Sequence, residues 1–197
     1  YEEYKNDPQP LLTAIKLNAE IYPEEQEIDI LASYTLKNIS SAEIDSIHIS
    51  TNRGVITGNF KFDREAEILT LDNELGHHIF KLKDPLKPGD SVNLDYRVSF
   101  LQKGFSNSGG SREIMRNGTY IGYHYLPTVG YDRDREINDE NLRRKHGLTA
   151  KPEIPSVYDL EERIKLSGNE RIEFEAVLGT SEDQTAVTAG TLRRSWV

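Results

Sequence analysis

The sequence predicts an all-β fold, a twisted antiparallel sandwich or saddle with one short helix carried in a long insertion. Apolar and polar residues alternate with a period of two over several stretches, as on half-buried strands. These stretches recur at short intervals with Gly, Pro, Asn and Asp between them, which is the punctuation of hairpins. Only one segment, around residues 138–147, carries the signals of a helix.

The first strand is read in Thr13, Ile15, Leu17, Ala19 and Ile21, with Lys16, Asn18 and Glu20 on the other face. Pro23-Glu24-Glu25 turns the chain into a second, where Ile28, Ile30, Ala32, Tyr34 and Leu36 alternate with polar residues. The two form a hairpin. Ile44, Ile47 and Ile49 give a third strand of imperfect period, and 54–62, 68–71 and 79–82 give shorter pieces. Lys87-Pro88-Gly89-Asp90 suits a type II turn, Pro presetting φ and Gly accepting a positive one. Beyond it Val92, Leu94, Tyr96, Val98 and Phe100 make the clearest strand of the chain. Ile172, Phe174, Ala176 and Leu178 make another, and residues 185–197 read as the last strand material. The chain is read as a single β domain, 1–197, with an irregular segment, 102–155, inserted between strands.

The helix reads from its ends. Asn138 is placed as its cap, acids fill the first turn, Arg143, Arg144 and Lys145 fill the last, and Gly147 supplies the left-handed stop.

Composition removes several function classes. The net charge is −9, so no nucleic-acid partner is expected, since neutralising phosphates needs a basic face. There is no cysteine, hence no disulfide framework, thiolate metal site or cysteine nucleophile. No apolar run approaches the ~20 residues of a membrane span. The chain opens without an initiator Met and stops abruptly at Trp196-Val197, and is read as a fragment of a larger chain.

The one break in the β pattern is Tyr120 to Leu148. Its tyrosines, Tyr120, Tyr123, Tyr125 and Tyr131, could stack on sugar faces or bury at an interdomain face, each hydroxyl finding a polar partner. Asp132, Arg133, Asp134, Arg135 and Glu136 could place oxygens around a calcium ion, but Ile137 stands where the tight-turn Gly belongs and arginines interleave the acids. A self-neutralising ion-pair lattice is the preferred reading. Tyr120, Tyr123, Tyr125, Tyr131, Asp132, Arg133, Asp134 and Arg135 are the candidate interface residues. No catalytic, cofactor-binding or metal-ligating residue is assigned: adjacent His77 and His78 on a strand point to opposite faces, and His124 sits among tyrosines. Asn38-Ile39-Ser40 and Asn117-Gly118-Thr119 match the glycosylation sequon.

These residues also carry a resemblance. The strand Ile28-Asp29-Ile30-Leu31-Ala32-Ser33-Tyr34-Thr35-Leu36-Lys37-Asn38 resembles the opening of the N-terminal β domain of gluzincin zinc aminopeptidases, and Tyr125-Leu126-Pro127-Thr128-Val129-Gly130-Tyr131-Asp132 resembles that family's Pro-containing acidic segment. Gly130 to Glu136, Leu142-Arg143-Arg144 and His146-Gly147-Leu148 resemble a bacterial subgroup in which an aminopeptidase-like extracytoplasmic region is joined to a transporter-type (ABC-type) membrane permease. Gln184 to Gly190 and Leu192-Arg193-Arg194-Ser195-Trp196 fit the later part of the same domain. The resemblance implies a non-catalytic accessory domain, itself no enzyme and without a cofactor. It would pack on a following catalytic-like domain beyond residue 197 and help wall its cleft. Zinc would sit in that domain, peptides are the implied substrates, and the membrane-embedded parent would place this region outside the cytoplasm. A β-sandwich adhesion module holding a glycan or protein on its tyrosines is the alternative.

Overall fold

The computed structural model describes residues 4–101, 113–132, 135–151, 156–161 and 171–196, which gather into two compact units. The larger spans residues 8–130 and 172–197 and is a β-sandwich. Its strands are β1 (Leu11–Tyr22), β2 (Glu27–Lys37), β3 (Ile44–Ser50), β4 (Ile56–Phe62), β5 (Ala66–Asp72), β6 (His77–Leu86), β7 (Ser91–Leu101), β8 (Ile114–Met115), β9 (Gly118–Thr119), β10 (Thr128–Val129) and β11 (Glu173–Gly179). A five-stranded sheet has the order β11-β1-β2-β7-β4, a four-stranded sheet the order β10-β3-β6-β5, and β8-β9 form a small hairpin.

The period of two sets the core. On β2, Ile28, Ile30, Ala32, Tyr34 and Leu36 are buried, and on β7 Val92, Leu94, Tyr96 and Val98. Those faces are in register, Tyr34 opposite Leu94 and Ile30 opposite Val98. Ile44, Ile47 and Ile49 of β3 and Phe80, Leu82 and Leu86 of β6 complete the layer. The imperfect period of β3 has a cause: its pairing with β6 shifts register between Ile44 and Ser46. Each such buried aliphatic side chain stabilises the sandwich by about 1.5–3 kcal/mol.

Turn chemistry follows the sequence where Pro and Gly set it. Gly89 has φ +88, and the Asp90 N–H donates to the Lys87 carbonyl at 2.9 Å. Asn38, read as a sequon residue, is fully buried. Its amide donates to the Ala42 and Leu86 carbonyls, both at 2.7 Å, and its oxygen accepts from the Ser40 N–H and hydroxyl. It is a polar rivet of the turn between β2 and β3, while Asn117 lies exposed at the turn of the β8-β9 hairpin.

Three expectations are corrected. β11 pairs with β1 in parallel, Ile15 opposite Phe174, so the sandwich is not antiparallel throughout. No strand forms in 180–196: Val187 and Leu192 are exposed, and the Ala-, Thr- and Gly-rich run has no apolar face to bury. The third concerns the smaller unit, residues 1–7 and 131–171, and its helix α1 (Glu140–Lys145). The cap is Asp139, whose carboxylate accepts from the Leu142 N–H at 2.8 Å, and Asn138 instead accepts from Lys151 Nζ at 2.6 Å. The stop is the expected one. Gly147 has φ +71, its N–H donates to Arg144 and that of Leu148 to Arg143, closing the paired C-terminal bonds of a Schellman turn.

Asp139→Ala should cost the helix about 0.5–2 kcal/mol and accelerate amide exchange through Leu142–Lys145. Asn138→Ala should leave those amides protected. Equal acceleration in both variants would return the cap to Asn138.

Candidate functional site

The irregular segment from Glu113 to Gly130 is fixed to the sandwich by a series of separate contacts. Tyr34, in the middle of β2 and 2% exposed, donates its hydroxyl to the Pro127 carbonyl at 2.9 Å. A single 3-10 turn, Tyr123–Tyr125, precedes that proline and drives Tyr125 into the core, where its ring meets Phe100 edge-on at 5.8 Å. After the proline, β10 pairs Thr128 with Ser50 and Val129 with Ile49, and the Gly130 N–H donates to the His48 carbonyl at 2.8 Å. Gln26 Nε2 donates to the Ile114 carbonyl at 3.3 Å, and the Asn52 amide donates to that of His124. These bonds satisfy backbone groups that an irregular stretch would otherwise leave to water.

Burial has an electrostatic mark on the anchor. Desolvation pushes the Tyr34 phenol up to about 12, against a smaller lowering from the adjacent Tyr96 hydroxyl, and the two rings meet edge-on at 4.8 Å. Burial raises Tyr96 further. Both phenols are therefore neutral at physiological pH.

The candidate residues do not act as one group. Tyr120 and Tyr123 stand out from the sandwich, 79% and 86% exposed. Tyr125 is corrected: at 2% exposed it is a core residue and presents nothing to a partner. Between them His124 Nε2 lies 3.0 Å from the Glu113 carboxylate, with its ring against both flanking tyrosines. Gly122 belongs here because a Cβ would stand 2.8 Å from the His124 ring. Among the described residues no three His, Asp or Glu side chains come together as a metal site.

Tyr131, Asp132 and Arg135 belong to the smaller unit, and Arg133 and Asp134 lie outside the described residues. Asp132 pairs with Arg135 at 3.5 Å. The centre of this unit is Glu136, which was not among the candidate interface residues. It is 7% exposed and accepts from the Tyr131 hydroxyl at 2.8 Å. Arg143 Nη1, Lys151 Nζ and Lys5 Nζ lie 3.6, 3.5 and 3.7 Å from its oxygens. Arg143, 3% exposed, also donates to the Thr149 and Ile137 carbonyls at 2.7 and 2.9 Å. Burial by itself raises the Glu136 carboxyl, but Tyr131, Lys5 and Lys151 outweigh it and hold the group below its ordinary value. Lys5 lies far from Glu136 along the chain, so no local pattern could have announced this cluster.

No protein-family model matches the sequence, and no curated protein matches it significantly. Among solved structures it is similar to a mutant M1 zinc metallopeptidase from Deinococcus radiodurans bound to a Tyr-Ser-Ala substrate. Identity there is 12% and the TM-score 0.37, over 49% of this chain and 21% of that one. It is also similar to leukotriene A4 hydrolase from Saccharomyces cerevisiae, at 16% identity and TM-score 0.33, over 48% of this chain and 15% of that one. The chain thus spans about a fifth or less of the length of these structures.

Two predictions follow from this geometry. Tyr34→Phe leaves the ring and removes the bond, orphaning a buried carbonyl at a cost of roughly 1–3 kcal/mol. A lowered unfolding midpoint with unchanged far-ultraviolet dichroism is the expected result; an unchanged midpoint would discount the anchor. For Glu136, the folded state holds the carboxyl below its ordinary 4.5, so its stabilisation is complete above that value and lost as pH falls through the folded one. Proteolysis within residues 131–151 should accelerate across that acidic range in the natural protein. Glu136→Gln should be cleaved rapidly already at neutral pH and lose this dependence.

Proposed function

We propose that this chain is a non-catalytic accessory domain of a zinc aminopeptidase-like protein, packing on a catalytic domain beyond residue 197 and helping to wall its cleft. The observation that carries this reading is the coincidence of two things in one segment. Residues 125–132 bear the sequence resemblance to the Pro-containing acidic segment of gluzincin aminopeptidases. The part up to Gly130 is also held to the core at Tyr125, Pro127 and Gly130, directly after the outward-facing Tyr120 and Tyr123. Exposed rings on a fixed backbone suit an interface, because they add contact area without the entropic cost of ordering a loose loop.

The resemblance of Gly130–Glu136 and Leu142–Leu148 to proteins joined to a membrane permease extends the proposal. On this reading the parent is a bacterial membrane protein, the domain lies outside the cytoplasm, and the zinc and any peptide substrate belong to the following domain. The same exposed pair of rings favours one other reading, an adhesion surface that stacks Tyr120 and Tyr123 on a sugar.

The double variant Tyr120→Ala, Tyr123→Ala in the full-length protein separates the two. Domain packing predicts faster proteolysis at the junction after residue 197, with the melting temperature of the β domain unchanged. An unaltered junction, with glycan-array binding lost, would overturn the accessory reading in favour of adhesion.

A further inference from the structure

The four-stranded sheet has two outer strands, and the chain treats their edges differently. Along β3 the edge is covered: β10 pairs with Ile49 and Ser50, and Gln9 fills the next position as a single side-chain rung. Its oxygen accepts from the His48 N–H and its amide donates to the Ser46 carbonyl, both at 2.9 Å. At the opposite side, among the described residues, β5 has β6 as its one strand neighbour.

That open edge is unusual in composition. Ile68, Leu69 and Leu71 on β5 and Leu75 in the following turn are each more than half exposed. Register opposes Ile68 to Phe80 and Leu71 to His78, both buried, so two of these aliphatic side chains lie on the core side of a layer that ends with β5. Leu69 is the extra residue of a register shift between Ile68 and Thr70. Exposed edges are commonly blunted by a bulge, here the irregularity at Leu69, and by Lys or Pro. From Glu65 to Gly76 there is neither Lys nor Pro; Glu65 and Glu67 precede the aliphatic run, and Asp72 and Glu74 follow it. Lys83 pairs with Glu65 at 2.7 Å, both well exposed, and Lys81 is the register partner of Glu67.

We propose that the open edge of β5 is a strand-addition site for an extended segment of another chain, aliphatic at its centre and carrying Lys or Arg at both ends. The open edge recruits an extended backbone, the half-exposed Ile68 and Leu71 recruit aliphatic side chains, and the acids select basic flanks, Asp72 and Glu74 more strongly than Glu65 and Glu67, which Lys83 and Lys81 partly offset. A second copy of this chain fits poorly. Antiparallel self-pairing that sets Ile68 opposite Leu71 also sets Glu67 against Asp72 and Glu65 against Glu74.

The test is titration of the 197-residue chain with fluorescent peptides of alternating Val and Thr, flanked by two lysines or two glutamates at each end. The lysine-flanked peptide should bind saturably, weaken with salt, and bind at least about tenfold tighter than the glutamate-flanked one. It should slow amide exchange within residues 66–72. Ile68→Lys with Leu71→Lys should abolish binding at an unchanged melting temperature, and Glu67→Gln with Glu74→Gln should reduce both affinity and salt dependence. Should the lysine pair compromise folding, the glutamine pair and the exchange footprint decide alone. Equal binding of both peptides, or protection elsewhere than β5, would overturn the proposal. So would sedimentation showing a dimer that the glutamine pair tightens, since the occupant would then be a second copy.

Discussion

A single buried phenol ties the irregular segment to the core of the sandwich. Tyr34 sits in the middle of β2, the strand between β1 and β7, and its hydroxyl reaches out of the apolar layer to the Pro127 carbonyl. Burying a phenol unbonded is costly, and so is burying a carbonyl unbonded; each group here answers the other. Pro127 has no N–H to offer, so its carbonyl is its one backbone hydrogen-bonding group, and the Tyr34 hydroxyl satisfies it. On either side of this bond the segment returns to ordinary devices, a core aromatic at Tyr125 and a short ladder at Thr128–Val129.

What this anchoring produces is a rigid presentation of exposed groups. Irregular segments are usually the places where a fold can move. Here the irregular segment borrows the stability of the core, while Tyr120, Tyr123 and the His124–Glu113 pair remain at its surface. The smaller unit solves a related problem by different means. Its centre is a buried carboxylate, Glu136, surrounded by Tyr131, Arg143, Lys151 and Lys5, so its order rests on charge pairing where the sandwich rests on apolar burial.

The strands were legible in the sequence because a period of two has one physical meaning when one face is buried and the other is wet. β2 and β7 are the clear examples: Ile28, Ile30, Ala32, Tyr34 and Leu36 and Val92, Leu94, Tyr96 and Val98 all face inward, and only Leu31, on the wet face of β2, breaks the pattern. Partner choice was less legible: nothing in Phe174, Ala176 and Leu178 says that β11 lies parallel to β1 rather than antiparallel to another strand. Asn138 and Asp139 are both good caps in adjacent positions, and only the Lys151 contact, formed through tertiary structure, decides between them. The tyrosines of the central segment share a residue type but not an environment. Tyr125 faces in because the 3-10 turn sets its direction, a fact that composition cannot carry. Glu136 was visible as one charge in a charged run, but not as the buried group around which Tyr131, Arg143, Lys151 and, from far along the chain, Lys5 gather.

Amide hydrogen exchange on the unmodified protein tests the central claim most directly. If the segment from Glu113 to Gly130 is an extension of the core, the Gly130 amide on His48 and the Thr128 amide opposite Ser50 should exchange on the timescale of the β2 and β7 amides. Exchange of these two amides at the rate of open loops, with β2 and β7 still protected, would contradict the account.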